Sequence, residues 1–211
     1  MITKKLFQLS VLTLLFFFSN QLESYDCLNP FLIEGKAAYY YPTSHTFRRI
    51  YSENGIYGGE ISCQTYNNLY TWASVDGYSK KGRSIGLQDA TKLTFIPVGL
   101  GLKYFFPISC FNCFVGAGLL GTYARLKDRF NLSSTNQTFT HRQSKGNVGG
   151  IVKVGLLYTI NNNWYLDLFS NYSYTKISFF NKYLGTIQRR QANLSGWSIG
   201  LGIGYSFQCF R

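Results

Sequence analysis

Acidic residues are scarce. The 211-residue chain carries 9 Asp and Glu against 21 Lys and Arg, a formal net charge of +12. Charged residues of both signs make up only 14% of it, against roughly 25% in an ordinary soluble domain. That is too few for a conventional solvated surface. Beyond the N-terminus no apolar run approaches the roughly 20 residues of a membrane-crossing helix, which excludes a helical membrane protein. Proline occurs four times and methionine once. Aromatics, by contrast, reach 18%, with 17 Tyr, 18 Phe and 21 Gly. Such a content excludes intrinsic disorder. Tyr, Phe, Thr and Gly are also not what a helical bundle is built from. A polar, aromatic, glycine-rich chain with little charge reads as all-β, and one kind of all-β chain spans membranes.

Lys4 and Lys5 precede an apolar stretch from Leu6 to Phe18, broken by Gln8, Ser10 and Thr13. This is the pattern of a secretory signal. Residues 1–24 are expected to form it, leaving 25–211 as one exported domain.

The remainder reads as eight β segments, at 31–41, 55–66, 69–79, 91–106, 113–127, 147–160, 163–176 and 195–208. Each is long enough to cross a bilayer as a tilted strand. Their connections alternate. Asn67-Asn68, the stretch from Pro107 to Asn112, and Asn161-Asn162 are short, and Asn tolerates the positive φ of tight turns. The stretches 42–54, 80–90, 128–146 and 177–194 are long. An antiparallel meander in an outer membrane has this alternation, with short periplasmic turns and long outer loops. An even strand count returns both termini to the periplasmic side.

The segments also alternate residue by residue. The last one sets Trp197, Ile199, Leu201, Ile203 and Tyr205 against Ser198, Gly200, Gly202, Gly204 and Ser206. Ile96, Val98, Leu100 and Leu102, and Val152, Val154 and Leu156, form similar apolar lanes. A water-soluble barrel would need an outer lane rich in Lys, Glu and Thr. Here the second lane is Gly, Ser and isolated charges, a filling for a narrow lumen. The apolar lane is therefore expected to face lipid. Trp72 takes no face, because both lanes of its segment carry aromatics.

The segment Gly200-Leu-Gly-Ile-Gly-Tyr-Ser-Phe207 resembles the final strand of the small outer-membrane barrel proteins of the OmpX, OmpW and OmpA membrane-domain type. The resemblance extends over nearly all of the chain after the signal. It implies an antiparallel transmembrane β-barrel of eight strands in a bacterial outer membrane. In this chain Gln208-Cys209-Phe210-Arg211 follow the closing Phe207.

Several constellations could carry function. By parity Glu34, Lys36, Glu60, Lys103, Lys153 and Asp167 point into the lumen, with Asp76 beside them. Buried charges persist when paired, so this set is a polar plug or a narrow ion path. A cationic rim comprises Arg48, Arg49, Lys80, Lys81, Arg83, Lys92, Arg125, Lys127, Arg129, Arg142, Lys145, Lys176, Lys182, Arg189 and Arg190. All lie in the long connections or at their edges. Only Glu53, Asp89 and Asp128 oppose them, so most of the net charge is at one end. Clustered Lys and Arg attract phosphates. The expected partners are outer-membrane lipids, lipopolysaccharide phosphates, host surfaces or other envelope proteins. Nucleic acid is in the wrong compartment.

Cys27, Cys63, Cys110, Cys113 and Cys209 fall at the periplasmic end of this scheme, where disulfides persist. Strands 1 and 8 are neighbours when the barrel closes, so a Cys27–Cys209 staple is expected if their Cα atoms come within about 7 Å. Cys110 and Cys113 have redox spacing but lie in a hairpin turn, without the helix N-terminus that activates such a thiol. Gly116-Ala-Gly118-Leu-Leu-Gly121 spells a dinucleotide fingerprint inside a strand, where it has no mechanism. The two histidines, His45 and His141, stand in loops beside Ser44 and Ser144, a weak basis for a hydrolytic triad. No catalytic residue, cofactor or metal is assigned. The sequence thus points to a structural or adhesive surface barrel. A narrow porin for small solutes or ions is the first alternative, and a lipid A-modifying enzyme the second.

Overall fold

The computed structural model describes residues 30–83, 90–108, 111–132, 137–161, 163–183 and 186–207. The expected signal at 1–24, Cys27, Cys110 and Cys209 lie outside these residues. Eight strands close a barrel: β1 (Phe31–Pro42), β2 (Asn54–Tyr66), β3 (Leu69–Arg83), β4 (Ala90–Ile108), β5 (Phe111–Leu132), β6 (Gln137–Thr159), β7 (Trp164–Tyr174) and β10 (Gly196–Phe207). Every neighbouring pair is antiparallel, and β1 closes the ring against β10, from Phe31 opposite Phe207 to Pro42 opposite Gly196.

The eight expected segments are the eight barrel strands. The four long connections differ from the expectation of loops. The stretch 42–54 contains a helix, α1 (His45–Tyr51), which an all-β reading omits. Ser44 caps it by accepting a hydrogen bond from the Phe47 amide. Phe47 and Tyr51, four residues apart, are buried in the mouth of the barrel. The stretch 177–194 is a separate hairpin of β8 (Lys176–Tyr183) and β9 (Thr186–Asn193). In 128–146 the strands continue until Leu132 pairs with Gln137. Thr138, Phe139 and Thr140 suit a strand, and the antiparallel ladder satisfies their backbone groups as well as water would. β3 likewise runs on to Arg83.

The alternation has the expected direction. Val98, Leu100 and Leu201 are 54%, 60% and 63% exposed on the outer wall. Their apolar neighbours make a continuous belt that only lipid would cover. Trp164 and Tyr205, and Tyr172 and Trp197, pair on this face, as aromatic girdles do.

Inside, the barrel is filled in layers. Leu32, Tyr70, Phe105, Phe114, Leu157, Tyr165 and Phe169 cluster toward the short turns. Tyr40, Phe47, Tyr51, Ile56, Tyr78, Leu93, Phe95, Ile177 and Leu194 cluster toward the opposite mouth. Charged residues lie between. Trp72, which sequence parity left without a face, points inward and is fully buried. It lies on a floor of glycines. A Cβ at Gly99, Gly101 or Gly118 would come within 2.8 Å of the indole, and at Gly101 within 2.2 Å of the Ala117 carbonyl oxygen. Gly101→Ala is therefore expected to destabilise the barrel by about 1–3 kcal/mol through overpacking, read as a lower urea midpoint. The same change at Gly35, where a Cβ meets nothing within 4 Å, should leave the midpoint unmoved.

Candidate functional site

Strand register brings the inward charges together. Glu34 on β1 stands opposite Glu60 on β2. Lys36 and Asp167 both pair with Gly202 of β10, one on each side. Lys103 and Lys153 flank Gly116 of β5 in the same way. The intervening glycines leave room for long side chains to lean across the lumen.

Glu60 is the centre. Its Oε1 accepts from Lys103 Nζ at 2.6 Å. Its Oε2 accepts from Lys36 Nζ at 2.8 Å and Lys153 Nζ at 2.5 Å. Lys36 also meets Glu34 at 2.5 Å and lies 3.8 Å from Asp167. These five ion pairs have side chains no more than 5% exposed. Two adjacent carboxylates on neighbouring strands would repel, and Lys36 bridges them. Each ammonium is also backed by an aromatic face: Lys153 lies 3.5 Å above Trp72, Lys36 4.8 Å from Phe169, and Lys103 5.1 Å from Phe114. The carboxylate of Asp167 accepts no hydrogen bond from protein. Asp76 is only partly buried and lines the cavity above the cluster.

That cavity has a volume of about 40 Å³, room for a few waters. Lys36, Asp76 and Lys153 line it together with Tyr40, Phe95 and Leu194 of the mouth cluster. Two hydrogen bonds link elements across the mouth. The Tyr40 hydroxyl donates to the Leu194 carbonyl at 2.5 Å, and Tyr51 and Thr91 share a hydrogen bond of 2.9 Å. Pro97 also lines the cavity. The β3–β4 ladder pairs Val75 with Val98 and Tyr78 with Phe95, but Asp76 and Gly77 remain unpaired opposite Ile96 and Pro97. Proline has no N–H to contribute there.

The cationic rim is a set of strand extensions and helix ends, not of loops. Arg48 and Arg49 are in the last turn of α1. Arg48 stacks on the Tyr41 ring at 4.8 Å and donates to its hydroxyl. Lys80, Lys81 and Arg83 end β3, and Lys92 begins β4. Arg125, Lys127 and Arg129 are on β5, Arg142 and Lys145 on β6. Lys176, Lys182, Arg189 and Arg190 belong to the β8–β9 hairpin. The end of apolar alternation marks where each strand leaves the membrane, not where it ends. Outside a membrane a strand needs no apolar lane.

Cys63 and Cys113 are free thiols on the outer lane, exposed and half-buried respectively. The glycines of 116–121 lie within β5. His45 is exposed on α1, and Ser44 is occupied as its cap. No local pattern marks the Tyr40–Leu194 hydrogen bond or α1. The Lys153–Trp72 contact was equally hidden, since it requires a face for Trp72.

No family model matches the chain, and no curated protein does. Solved structures do match in fold. The outer membrane protein OprG from Pseudomonas aeruginosa is 14% identical, with 86% of this chain and 98% of that chain covered at a TM-score of 0.66. Neisserial surface protein A is 17% identical, with 85% and 98% covered and a TM-score of 0.56. Ail, the attachment invasion locus protein of Yersinia pestis, solved with the heparin analogue sucrose octasulfate, is 12% identical, with 84% and 96% covered and a TM-score of 0.50. With its closed ring of eight strands, its apolar outer belt and its charged interior, the chain has the fold of the eight-stranded bacterial outer-membrane β-barrels.

Proposed function

We propose that this protein is a non-enzymatic outer-membrane surface protein whose barrel is plugged and whose cationic outer end engages polyanions, in a structural or adhesive role. The observation that carries the reading is the Glu60 cluster. Three lysines converge on one buried carboxylate, aromatic layers lie above and below, and a cavity of about 40 Å³ is the space beside it. A conducting pore would need the cluster to open. The complex of Ail with a heparin analogue is a precedent, on a barrel of similar fold, for binding a polyanion.

Reconstituted into planar bilayers, the protein is expected to give no stepwise conductance. Immobilised heparin should retain it at low salt and release it as the Debye length falls from about 10 Å at 0.1 M to about 3 Å at 1 M. Regular conductance steps, together with heparin retention indifferent to salt, would overturn the reading.

Passage of small solutes is a second reading, favoured by one observation. The cavity abuts the ladder gap at Asp76–Gly77 and Ile96–Pro97, a weak place in the wall. Restoring an N–H with Pro97→Val should abolish uptake in a liposome-swelling assay if this gap is the path.

Orientation is tested separately. In a background without native cysteines, Thr46→Cys on α1 should react with a membrane-impermeant maleimide on intact cells. Asn161→Cys in the short β6–β7 turn should react only after lysis. The reverse pattern would mean that the rim faces the periplasm.

A further inference from the structure

Four cations stand side by side on four successive strands. Lys81 of β3 is directly opposite Lys92 of β4, Lys92 opposite Lys127 of β5, and Lys127 opposite Arg142 of β6. No comparable row of one sign occurs elsewhere among the described residues. We propose that this row is a binding site for the phosphorylated sugar headgroup of an outer-leaflet glycolipid, which it grips from the side of the barrel. The inference rests on the chain being an outer-membrane barrel, not on the adhesive reading.

The row faces outward. It continues, at even spacing, the lanes that carry Val75, Val98 and Val148 on the outer wall. Lys81, Lys92 and Arg142 are exposed and Lys127 is half-buried. It is therefore turned toward the surrounding membrane and not toward the mouth. Its height is also defined. On β5 the outer lane runs Val115, Leu119, Tyr123, Arg125, Lys127, so the cation row lies four residues beyond a tyrosine that ends the apolar lane. With strands tilted about 40° and rising about 3.4 Å per residue, that is on the order of 10 Å above the hydrocarbon edge. This is the depth of lipid headgroups.

The intervening row is polar. Ser79, Thr94, Arg125 and Ser144 are register neighbours. Ser79 and Thr94 share a hydrogen bond of 3.1 Å, and the Tyr123 hydroxyl bonds to Ser144 and Arg125. Hydroxyls and a guanidinium thus lie between the apolar belt and the cations, as an amphiphile's sugar would require.

The chemistry asks for an anion. Like charges directly opposite on neighbouring strands destabilise a sheet, and here three such pairs follow one another. The five lumen ion pairs draw on none of the four cations, and Glu34, Glu60 and Asp167 lie on the opposite face of the wall. Strands lie about 4.8 Å apart, which makes the row about 14 Å long. That length suits a disaccharide with a phosphate at each end, and Arg142 can hold one phosphate through two hydrogen bonds. A soluble sulfated polysaccharide would reach cations at the tips before it reached a row facing sideways into headgroups.

The test uses the full-length mature protein in phosphatidylcholine nanodiscs, alone or with added lipid A that is bis-phosphorylated or enzymatically dephosphorylated. Bis-phosphorylated lipid A should raise the melting temperature of the wild type, and dephosphorylated lipid A should not. K92Q/K127Q/R142Q should lose that rise and weaken lipid A binding at least tenfold. In plain phosphatidylcholine the same variant should melt above the wild type, because its repulsion is gone. R48Q/R49Q on α1 should behave as wild type toward lipid A. If the triple variant does not fold, K127Q alone should shift in both directions by a smaller amount. Equal binding of dephosphorylated lipid A, or unchanged binding by the row variants, would overturn the proposal. Loss of heparin binding alone by the row variants would overturn it in favour of a soluble polymer. Conductance and the heparin retention of the wild type do not bear on these outcomes.

Discussion

Glu60→Ala is expected to cost the barrel at least about 3–5 kcal/mol, the penalty of removing one member of a buried ion pair. Glu60 is the shared partner of Lys36, Lys103 and Lys153. Its loss leaves three ammonium groups in a space that is almost closed to water, with Glu34 and Asp167 near only one of them. Chemical unfolding in detergent or lipid, followed by the heat-modified shift on gels, would measure it. Glu60→Gln keeps the shape and removes the charge, so its cost should approach that of alanine. Asp167→Asn should be far milder, since Asp167 accepts no hydrogen bond and its nearest cation is 3.8 Å away. If the Asp167 and Glu60 variants unfold alike, the cluster has no centre and its members act as diffuse polar filling.

Leu201→Arg is the second large effect, about 2–4 kcal/mol if the residue lies near the bilayer midplane. Leu201 is 63% exposed on the outer wall, with Leu168 of β7 and Ala37 of β1 on either side. Nothing nearby could accept a guanidinium, and the nearest headgroups are half a bilayer away. Gly202→Ser, one residue further on, is the control. Its side chain would enter the lumen, where a Cβ comes to 3.3 Å from Asp167 and 3.4 Å from the Gly35 carbonyl oxygen. Those contacts are tight but can relax, and the hydroxyl has polar neighbours. Refolding into vesicles across a urea series would rank the two. Equal tolerance would mean that the inner and outer lanes had been exchanged.

The two lanes, the strand count and the short turns were legible because each is a period-2 or turn-residue signal within a few residues of chain. Parity assigned Glu60 and Lys153 to the inside for the same reason. It could not pair them, because the direction in which a lumen residue leans depends on the stagger of strands far apart in sequence. Trp72 shows the limit within one strand. Tyr70 and Trp72 form an inner lane only because Gly99, Gly101 and Gly118 leave a space for the indole. That space belongs to two other strands. Helix α1 is too short to carry a periodic signal, and Phe47 and Tyr51 gain their burial from the barrel mouth. The β8–β9 hairpin has lanes that look like loop sequence, with Arg189 and Arg190 adjacent. The cation row was invisible for yet another reason, since a row across four strands appears only once three registers are known.

The partners of Glu60 are 24, 43 and 93 residues away in sequence, and the seam that joins β1 to β10 spans nearly the whole folded domain. Lys36 can reach Glu60 within the β1–β2 hairpin, but Lys103 and Lys153 reach it only across a curled sheet, so full neutralisation is a late event in biogenesis. While the sheet is still open, Lys103 and Lys153 have no carboxylate, and the inner face must keep water against it. An open sheet lying flat in hydrocarbon would leave both these charges and the unpaired edges of β1 and β10 unsatisfied. The charges thus bias assembly toward a curled intermediate that holds a drop of solvent. That solvent must leave as the seam zips, and the cavity of about 40 Å³ beside Asp76 is the space that the side chains do not fill.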